Sequence, residues 1–435
     1  MDTLLLSRWQ FGITAFFHFL FSPLTIGLAT MIAVFEFMNW RSKNSVHDAA
    51  ARFWSKLLVI VFTVGVASGI VLEFQFGTNW SEYSKFVGDI FGAPLAAEAI
   101  FTFFLESTFF GLLIFGRDKL TPGMRAFSAA MVSLGAILSA FWILVANSWQ
   151  QTPAGYQIQG GRATLTDFAA AVFNPSTMPR YWHTLDAAFM TGAFFVLGIS
   201  AYLLLEAKNN ALARASMRLG IIFAVAATLL QLPTSDWHAN QVALTQPAKL
   251  AAFEGLWETK SSAPLLIAGI PDPAKEKNIV AIGVPGLLSW LVHGEIDAPV
   301  KGLKEFPRDQ RPPILTTFFS FHLMVIVWLY LAVVSLSALY LLLKKKLTSN
   351  RTMLKVFLYS IPLPFLANEL GWIAAELGRQ PWAVYGILRT SDAASPLPMG
   401  YVLLTVAVIT LLYILLLAFV IYLLKREISK AMAQG

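Results

Sequence analysis

Long apolar runs, separated by short polar segments, dominate the chain from one end to the other. Each run is about 20 residues or longer, the length that an α-helix needs to cross the hydrocarbon core of a bilayer. The pattern predicts an all-α, polytopic membrane bundle that forms a single domain over residues 1–435. Its nine helices are predicted, to within a few residues at each end, over 10–40, 53–76, 94–116, 125–148, 181–205, 215–235, 313–343, 354–377 and 398–424.

Composition narrows the chemistry that such a bundle can perform. Hydrophobic residues make up 57% of the chain and charged residues 13%, whereas about a quarter of a soluble domain is charged. Cysteine is absent, which excludes disulfides, thiolate metal sites, iron–sulfur clusters and c-type haem attachment. The first run lacks the basic flank and cleavage site of a signal peptide, so we expect a retained membrane helix. A metal in this protein would be held by His, Met or carboxylate side chains.

Basic residues cluster after the odd-numbered runs, the first, third, fifth, seventh and ninth. The loop after the second run holds only Lys85, so the positive-inside rule predicts the N-terminus outside and the C-terminus inside. This placement also accounts for the formal charge of +7 without nucleic-acid binding. The clusters comprise Arg41, Lys43, Arg52, Lys56, Arg117, Lys119, Arg125, Lys208, Arg214, Arg218, Lys344, Lys345, Lys346, Arg351, Lys355, Lys425, Arg426 and Lys430.

The connection over residues 236–312, between the sixth and seventh helices, breaks this rhythm. It is polar, charged and rich in proline, and the orientation places it on the outer face. A structureless loop of this length in a compact chain is usually functional. No internal repeat is visible, which disfavours a transporter built from inverted repeats.

Ionisable side chains inside membrane spans are costly and mark candidate functional positions. Glu98 and Glu106 lie eight residues apart, about 12 Å along one helix, and Ser139 could extend the same polar line. They form either a proton relay or a pair of buried, protonated acids. The full set is His18, Glu73, Glu98, Glu106, His183, His322, Glu369 and Glu376.

Four side chains on different helices map to the outer half of the bilayer: His18, His183, Met324 and Glu376. A His/Met pair is a ligand set of low-spin haem, and its thioether raises the reduction potential. The alternatives are a histidine bonded to a carbonyl, a methionine that fills the core, and a glutamate paired with Arg379. Taken together, the four positions favour a haem protein over a proton-coupled transporter.

Several segments match one family. They are SRWQF upstream of His18, EFQFGTNW at 73–80, GDIFGAPLA at 88–96, FFLEST at 103–108, LSAFWILVAN at 138–147 and GRQPW at 378–382. Over essentially its whole length the chain resembles the larger, haem-bearing subunit of cytochrome bd-type quinol oxidases, in the group with a short quinol loop. It departs from some members at His322, where they carry an arginine.

The resemblance implies three haems. His183 and Met324 match the axial ligands of a low-spin haem b. His18 and Glu376 match the ligands of two high-spin haems, one haem b and one haem d, or a third haem b in place of haem d. Trp372 matches the aromatic residue between haems. Glu98 matches a carboxylate close to the oxygen site.

The resemblance also implies the reaction and its setting. Lys249 and Glu254 match residues tied to the oxidation of ubiquinol or menaquinol at the outer face. Oxygen would be reduced to water with protons from the cytoplasm, through Ser139, Glu106 and Glu98, so that charge is separated without a pump. The expected partners are a second multispan subunit and a small single-span subunit in a bacterial cytoplasmic (inner) membrane. An alternative function that also requires haem is that of a membrane cytochrome that only relays electrons.

Overall fold

The computed structural model describes residues 2–207 and 210–433; Lys208, in one of the basic clusters, lies outside them. In this part of the chain nine helical spans are long and apolar enough to cross a membrane, which confirms the predicted number and the all-α class. The helices are α1 (Thr3–Phe19), α2 (Ser22–Ser42), α3 (Ser45–Gly77), α4 (Ser81–Ala97), α5 (Phe104–Phe115), α6 (Pro122–Gln151), α7 (Phe168–Val172), α8 (Thr177–Glu206), α9 (Ala211–Thr245), α10 (Pro247–Phe253), α11 (Leu287–His293), α12 (Ile314–Leu343), α13 (Arg351–Ser360), α14 (Pro362–Leu377), α15 (Thr390–Ala393) and α16 (Met399–Ala433).

Proline interrupts three of the spans. The first bends between α1 and α2, where Pro23 occupies the first turn of α2, and the eighth divides at Pro362 into α13 and α14. In the third span, Pro94 lies inside α4, and a π-helical turn over Glu98–Phe103 follows before α5. Proline removes a backbone donor and distorts the preceding turn, and π turns are frequent at functional sites. Pro23 lies five residues after His18, and Pro94 lies four residues before Glu98.

Side-chain caps begin several helices. Asn44, Thr121 and Asn210 accept backbone N–H groups at the starts of α3, α6 and α9, which satisfies donors that the first turn leaves unpaired. Helix α8 is central, because 83% of an apolar 18-residue stretch of it is buried, whereas α16 is peripheral, with 11% of the corresponding stretch buried. The exposed face of α16 is apolar, as expected for contact with lipid.

The connection between α9 and α12 differs from the structureless loop that the sequence predicts. Helix α9 continues to Thr245, and α10 follows directly. A hairpin of strands β3 (Leu265–Asp272) and β4 (Lys277–Val284) comes next, and α11 and two short 3-10 turns complete the segment. The remaining strands form two smaller hairpins, β1–β2 (Tyr156–Gln159 with Arg162–Leu165) and β5–β6 (Trp382–Val384 with Leu388–Arg389). We call the end of the bundle that carries the 246–312 connection the loop end.

A buried ionic cluster closes the opposite end. Glu36 is fully buried and lies 2.5 Å from Arg117 and 3.7 Å from Arg125, while Asp48 lies 3.0 and 3.4 Å from the same two arginines. Two of the basic residues that predict the orientation are therefore paired internally. The cluster joins α2 and α3 to the start of α6 and to the connection that precedes it.

Candidate functional site

His183 lies in the second turn of α8 and has one engaged ring nitrogen. Its Nδ1 lies 2.6 Å from Nε2 of Gln231 and 3.2 Å from the hydroxyl of Ser235. The ring of His238 is 5.2 Å away, centroid to centroid. We find no hydrogen-bond partner for Nε2 of His183 among the residues described. Nε2 is therefore the ring nitrogen of His183 that could hold a metal, provided that Nδ1 carries the ring proton.

Helices α8, α9, α12 and α14 pack in a closed ring, in which α8 contacts α9, α9 contacts α12, α12 contacts α14, and α14 contacts α8. His183 on α8 and Met324 on α12 therefore belong to helices on opposite sides of the ring. Met324 lies against Gly371, where an added methyl group would come within 2.9 Å of its sulfur. These two residues would hold a haem between α8 and α12.

His18 has both ring nitrogens engaged. Nδ1 lies 3.1 Å from the carbonyl of Gly65 and 3.1 Å from the hydroxyl of Ser68, and Nε2 lies 2.9 Å from the hydroxyl of Ser22. A backbone carbonyl only accepts, so the Nδ1 proton points to Gly65 and Nε2 is the acceptor. An iron ligated by Nε2 would displace Ser22, whose hydroxyl also reaches the carbonyl of His18 at 3.2 Å. Nε2 of His18 is therefore the ring nitrogen that would hold a haem iron.

Trp372 connects these two regions. Its ring stacks on Phe19 at 5.4 Å between centroids, and Phe19 follows His18 in the chain. The preceding residue, Gly371, contacts Met324. The tryptophan is thus next in sequence to a residue that contacts Met324, and it stacks on the residue that follows His18.

Four side chains surround the carboxylate of Glu376. Arg379 lies 2.5 Å from Oε2, and Asn147 and Gln151 donate to Oε1 at 3.1 and 3.3 Å. Arg180 lies 4.0 Å from Oε1 and also bonds to Asn147. The ion pair between Glu376 and Arg379, one of the two alternatives that the sequence predicts, is therefore confirmed. Two guanidinium groups compensate the charge, yet a carboxylate has lone pairs left for iron.

Gln151, at the end of α6, joins this carboxylate to the loop. Its Oε1 accepts from Lys249 Nζ at 2.6 Å and from Gln246 Nε2 at 3.1 Å. Lys249 is only 3% exposed, and burial, together with the nearby charge of Arg180, holds the pKa of Lys249 well below its usual range. The loop and Glu376 thus share a hydrogen-bonded network.

Glu254 lies at the end of α10 and is also buried. Desolvation raises the pKa of Glu254 to about 8, although a backbone N–H of Leu266 on β3 partly offsets the shift. Its Oε2 has no hydrogen-bond partner among the described residues. Within the same part of the chain, no hydrogen bond or ion pair joins Glu254 to Lys249. The two predicted quinol residues therefore lie in different environments.

The third span brings Glu98 to Ser139, as the predicted polar line requires. The hydroxyl of Ser139 donates to Glu98 at 2.7 Å. Glu106 is 5% exposed and packs against Gly135, one turn from Ser139 on α6. Its Oε1 has no partner among the residues described. Both acids face the same side of α6 and do not bond to each other.

His322 lies two residues before Met324 and stacks on Phe318, with the ring centroids 3.9 Å apart. Its two ring nitrogens lie 3.0 Å from the carbonyl of Phe318 and 3.1 Å from that of Leu266. The histidine therefore ties α12 to the β3–β4 hairpin. In the described residues no group of three or more His, Asp or Glu is placed to hold a bare metal ion.

The model of the family described as cytochrome bd terminal oxidase subunit I matches residues 6–432. The chain belongs to this family. It is 41% identical to cytochrome bd ubiquinol oxidase subunit 1 of Bacillus subtilis (strain 168), over 99% of this chain and 94% of that protein. It is 38% identical to cytochrome bd-II ubiquinol oxidase subunit 1 of Escherichia coli (strain K12), over 98% and 96%.

Comparison of the fold with solved structures indicates the same family. The bd oxidase structure from Geobacillus thermodenitrificans superposes with a TM-score of 0.93 and 29% identity, over 99% of both chains. As a cytochrome bd subunit I, the chain is a membrane-spanning subunit of a quinol oxidase that uses haem cofactors. Quinol, O2 and a second subunit are its partners.

Sequence reasoning missed several residues that contact the candidate ligands of this cytochrome bd subunit: Gln231, Ser235, Arg180, Gln151 and His238. Arg180 lies one residue before the predicted fifth span but inside α8, so the rule that singles out charges inside membrane spans just missed it. Gln231 is a lone amide near the predicted end of the sixth helix, a weaker signal. The role of Gln151 depends on contacts with residues that are distant in the chain, and no local pattern indicates it.

Proposed function

We propose that this subunit oxidises quinol at the loop end and reduces O2 to water at a pair of high-spin haems. His183 and Met324 would hold low-spin haem b, and His18 and Glu376 would hold high-spin haem b and haem d, or a third haem b. When bound, the haems supply the electron transfer and the oxygen chemistry. The observation that carries the proposal is the placement of His183, with Nε2 available, across the helix ring from Met324.

At the quinol site the two loop residues would have different roles. A hydroquinone loses two protons as it is oxidised, and a base with a pKa close to the working pH accepts them most effectively. Glu254, with a pKa of about 8, meets that condition. Lys249 is fixed by Gln151 at 2.6 Å and would orient an oxygen of the quinol head. The absence of a bond between them in the described chain leaves Glu254 available to the substrate.

Protons for water formation would enter from the cytoplasm by way of Ser139, Glu106 and Glu98, so the enzyme would build a proton motive force without pumping. The bond between Ser139 and Glu98, and the position of Glu106 on the same side of α6, support this path. Trp372, stacked on Phe19, would hold the space between haems. The N-terminus would lie outside and the C-terminus inside a bacterial cytoplasmic membrane, beside a second multispan subunit and a small single-span subunit.

The test is a reduced-minus-oxidised optical spectrum of the purified complex, with and without carbon monoxide. Low-spin b bands together with a red-shifted, carbon monoxide-sensitive chlorin band would support the proposal. Bands of haem b that ignore carbon monoxide would leave only an electron relay, and a colourless protein would leave a proton-coupled transporter. Either result would refute the proposal.

Two variants assign the sites. Met324→Leu should remove the low-spin bands and quinol oxidation while the high-spin bands remain, whereas Met190→Leu, in the buried core of α8, should retain all bands. Glu254→Ala should impair quinol oxidation with every haem band present. An unchanged spectrum in Met324→Leu, or full quinol turnover in Glu254→Ala, would contradict the corresponding assignment.

A further inference from the structure

Gln231 is a buried amide in the middle of α9 that faces the ring of His183. It is 6% exposed, and its side-chain nitrogen lies 2.6 Å from Nδ1 of His183 and 3.2 Å from the hydroxyl of Ser235. Ser235 itself lies 3.2 Å from the same Nδ1. Gln231 and Ser235 are four residues apart and therefore share one face of the helix. Pro233, between them, lies inside α9.

The neighbouring polar groups are committed elsewhere. Thr234 donates to Asp186 at 2.8 Å, and Arg180 bonds to Asn147. The ring of His238 lies 5.2 Å from that of His183, centroid to centroid, without a hydrogen bond to it in the described chain. Within that part of the chain, Gln231 and Ser235 are the side chains in hydrogen-bonding distance of Nδ1.

A histidine that ligates iron through Nε2 carries its proton on Nδ1 and needs an acceptor there. The amide of Gln231 presents an oxygen to Nδ1 after a half-turn of its end group, because its oxygen and nitrogen occupy equivalent positions. In that orientation the Ser235 hydroxyl donates to the same amide oxygen. The pair thus completes an acceptor for the Nδ1 proton.

We infer that Gln231, supported by Ser235, is a positioning residue for the axial ligand His183. It fixes the tautomer and the plane of the imidazole and strengthens Nε2 as a donor to iron. The inference rests on the proposed low-spin haem at His183 and adds the device that sets the strength of that ligand. A stronger imidazole donor stabilises ferric iron, so Gln231 lowers the midpoint potential that the Met324 thioether raises.

The experiment compares Gln231→Leu, Gln231→Glu and Ser235→Ala in the purified complex, with haem content, the ferric electron paramagnetic resonance spectrum and the midpoint potential of the low-spin haem as readouts. Gln231→Leu should raise the potential and weaken haem retention roughly tenfold or more. Gln231→Glu should lower the potential, because a carboxylate accepts more strongly than an amide. Ser235→Ala should shift it in the same direction as Gln231→Leu, by less.

The matched control is Gln241→Leu, since Gln241 lies on the same helix, is 8% exposed and bonds to Thr245 at 2.7 Å. It should leave potential and spectrum unchanged. Equal potentials and spectra in Gln241→Leu and in all three variants would overturn the inference. His183→Ala separates this failure from that of the haem assignment: a low-spin signal that survives in His183→Ala refutes the proposed ligand itself.

Discussion

Two sets of carboxyl groups lie inside the bundle, and their surroundings differ sharply. Glu376, near the loop end of α14, meets two guanidinium groups and two side-chain amides. In the third span, Glu98 accepts a hydrogen bond from the hydroxyl of Ser139. Among the described residues, Glu106 Oε1 has no partner.

The difference separates two uses of a carboxyl group in a membrane. A carboxylate that faces fixed cations remains an anion in one place, which suits a permanent ligand of iron. A carboxyl group without cations is costly as an anion in a low-dielectric interior, so it suits a group that carries a proton and passes it on. The same residue type is thus directed to ligation at one site and to proton transfer at the other.

The local backbone agrees with this division. Glu376 ends a regular helix whose next residues fold back as a hairpin, and this brings Arg379 onto the carboxylate. Glu98 opens a π-helical turn four residues after Pro94. A π turn changes the direction of the side chains that follow it, and such turns recur at functional sites. The turn places Glu98 opposite Ser139.

The largest effect should follow from breaking the compensated site. Arg379→Leu leaves Glu376 without its 2.5 Å partner, and removing one member of a buried ion pair costs about 3–5 kcal/mol. We expect a strongly lowered thermal midpoint and loss of the haem held at Glu376, measured as haem per polypeptide. Arg389→Leu is the matched control, because Arg389 pairs with exposed Asp309, and such pairs contribute about 1 kcal/mol or less. Equal stability of the two variants would show that the site at Glu376 is not compensated as described.

At Glu106, which no cation among the described residues compensates, we expect a substitution to leave stability unchanged and to lower activity. Glu106→Leu removes a costly buried carboxyl group, so the protein should retain its stability and all haem bands. Oxygen reduction should fall by roughly 10²–10⁴, the usual contribution of a positioned proton-transfer group. Ser107→Ala, next in sequence and bonded only to its own helix in the described chain, should be close to wild type. Full oxygen consumption by Glu106→Leu would remove this residue from the proton path.

Glu254 is another buried carboxyl group, and the pH dependence of quinol oxidation tests its role as a base. A base must be unprotonated to accept a proton, so below its pKa of about 8 the rate should rise roughly tenfold per pH unit as the pH increases. Steady-state rates from pH 6 to 9 measure this limb, and Glu254→Gln should abolish it. Glu276, half-buried and paired with Arg308 and Arg311, has its pKa lowered by those partners. Glu276→Gln should therefore leave the limb intact, and a limb that persists in Glu254→Gln would exclude Glu254 as the base.

The smallest effect should come from Ser139→Ala. The variant removes the 2.7 Å bond to Glu98, and one such bond is worth about 1 kcal/mol, so oxygen reduction should slow several-fold without loss of haem. Ser133→Ala on the same helix, which loses a 2.8 Å contact with Thr30 instead, should not slow it. An equal rate in the two variants would indicate that Ser139 only packs.

The sequence alone determined the nine spans and the residues of the resemblance. Apolar runs suffice because a spanning segment must satisfy its own backbone hydrogen bonds, which leaves the helix as the available form. The polar connection was less predictable. The last turns of α9, up to Thr245, are polar and lie beyond the span that the apolar run predicts. Hydropathy also does not detect the turn of the β3–β4 hairpin, where Asp272 accepts hydrogen bonds from the backbone of Ala274 and Lys275.

Tertiary structure decided how those residues act on one another. His18, Glu98 and Glu376 stand out in the sequence as intramembrane polar groups, yet nothing local shows that cations and amides surround one of them and not another. Gln151 reaches Lys249 and Glu376, partners 98 and 225 positions further along the chain, and Gln231 reaches His183 on the neighbouring helix. Such contacts depend on which helix faces meet. That choice rests on the packing of the whole bundle, because burial sets the cost of each charge and packing places the groups that offset it.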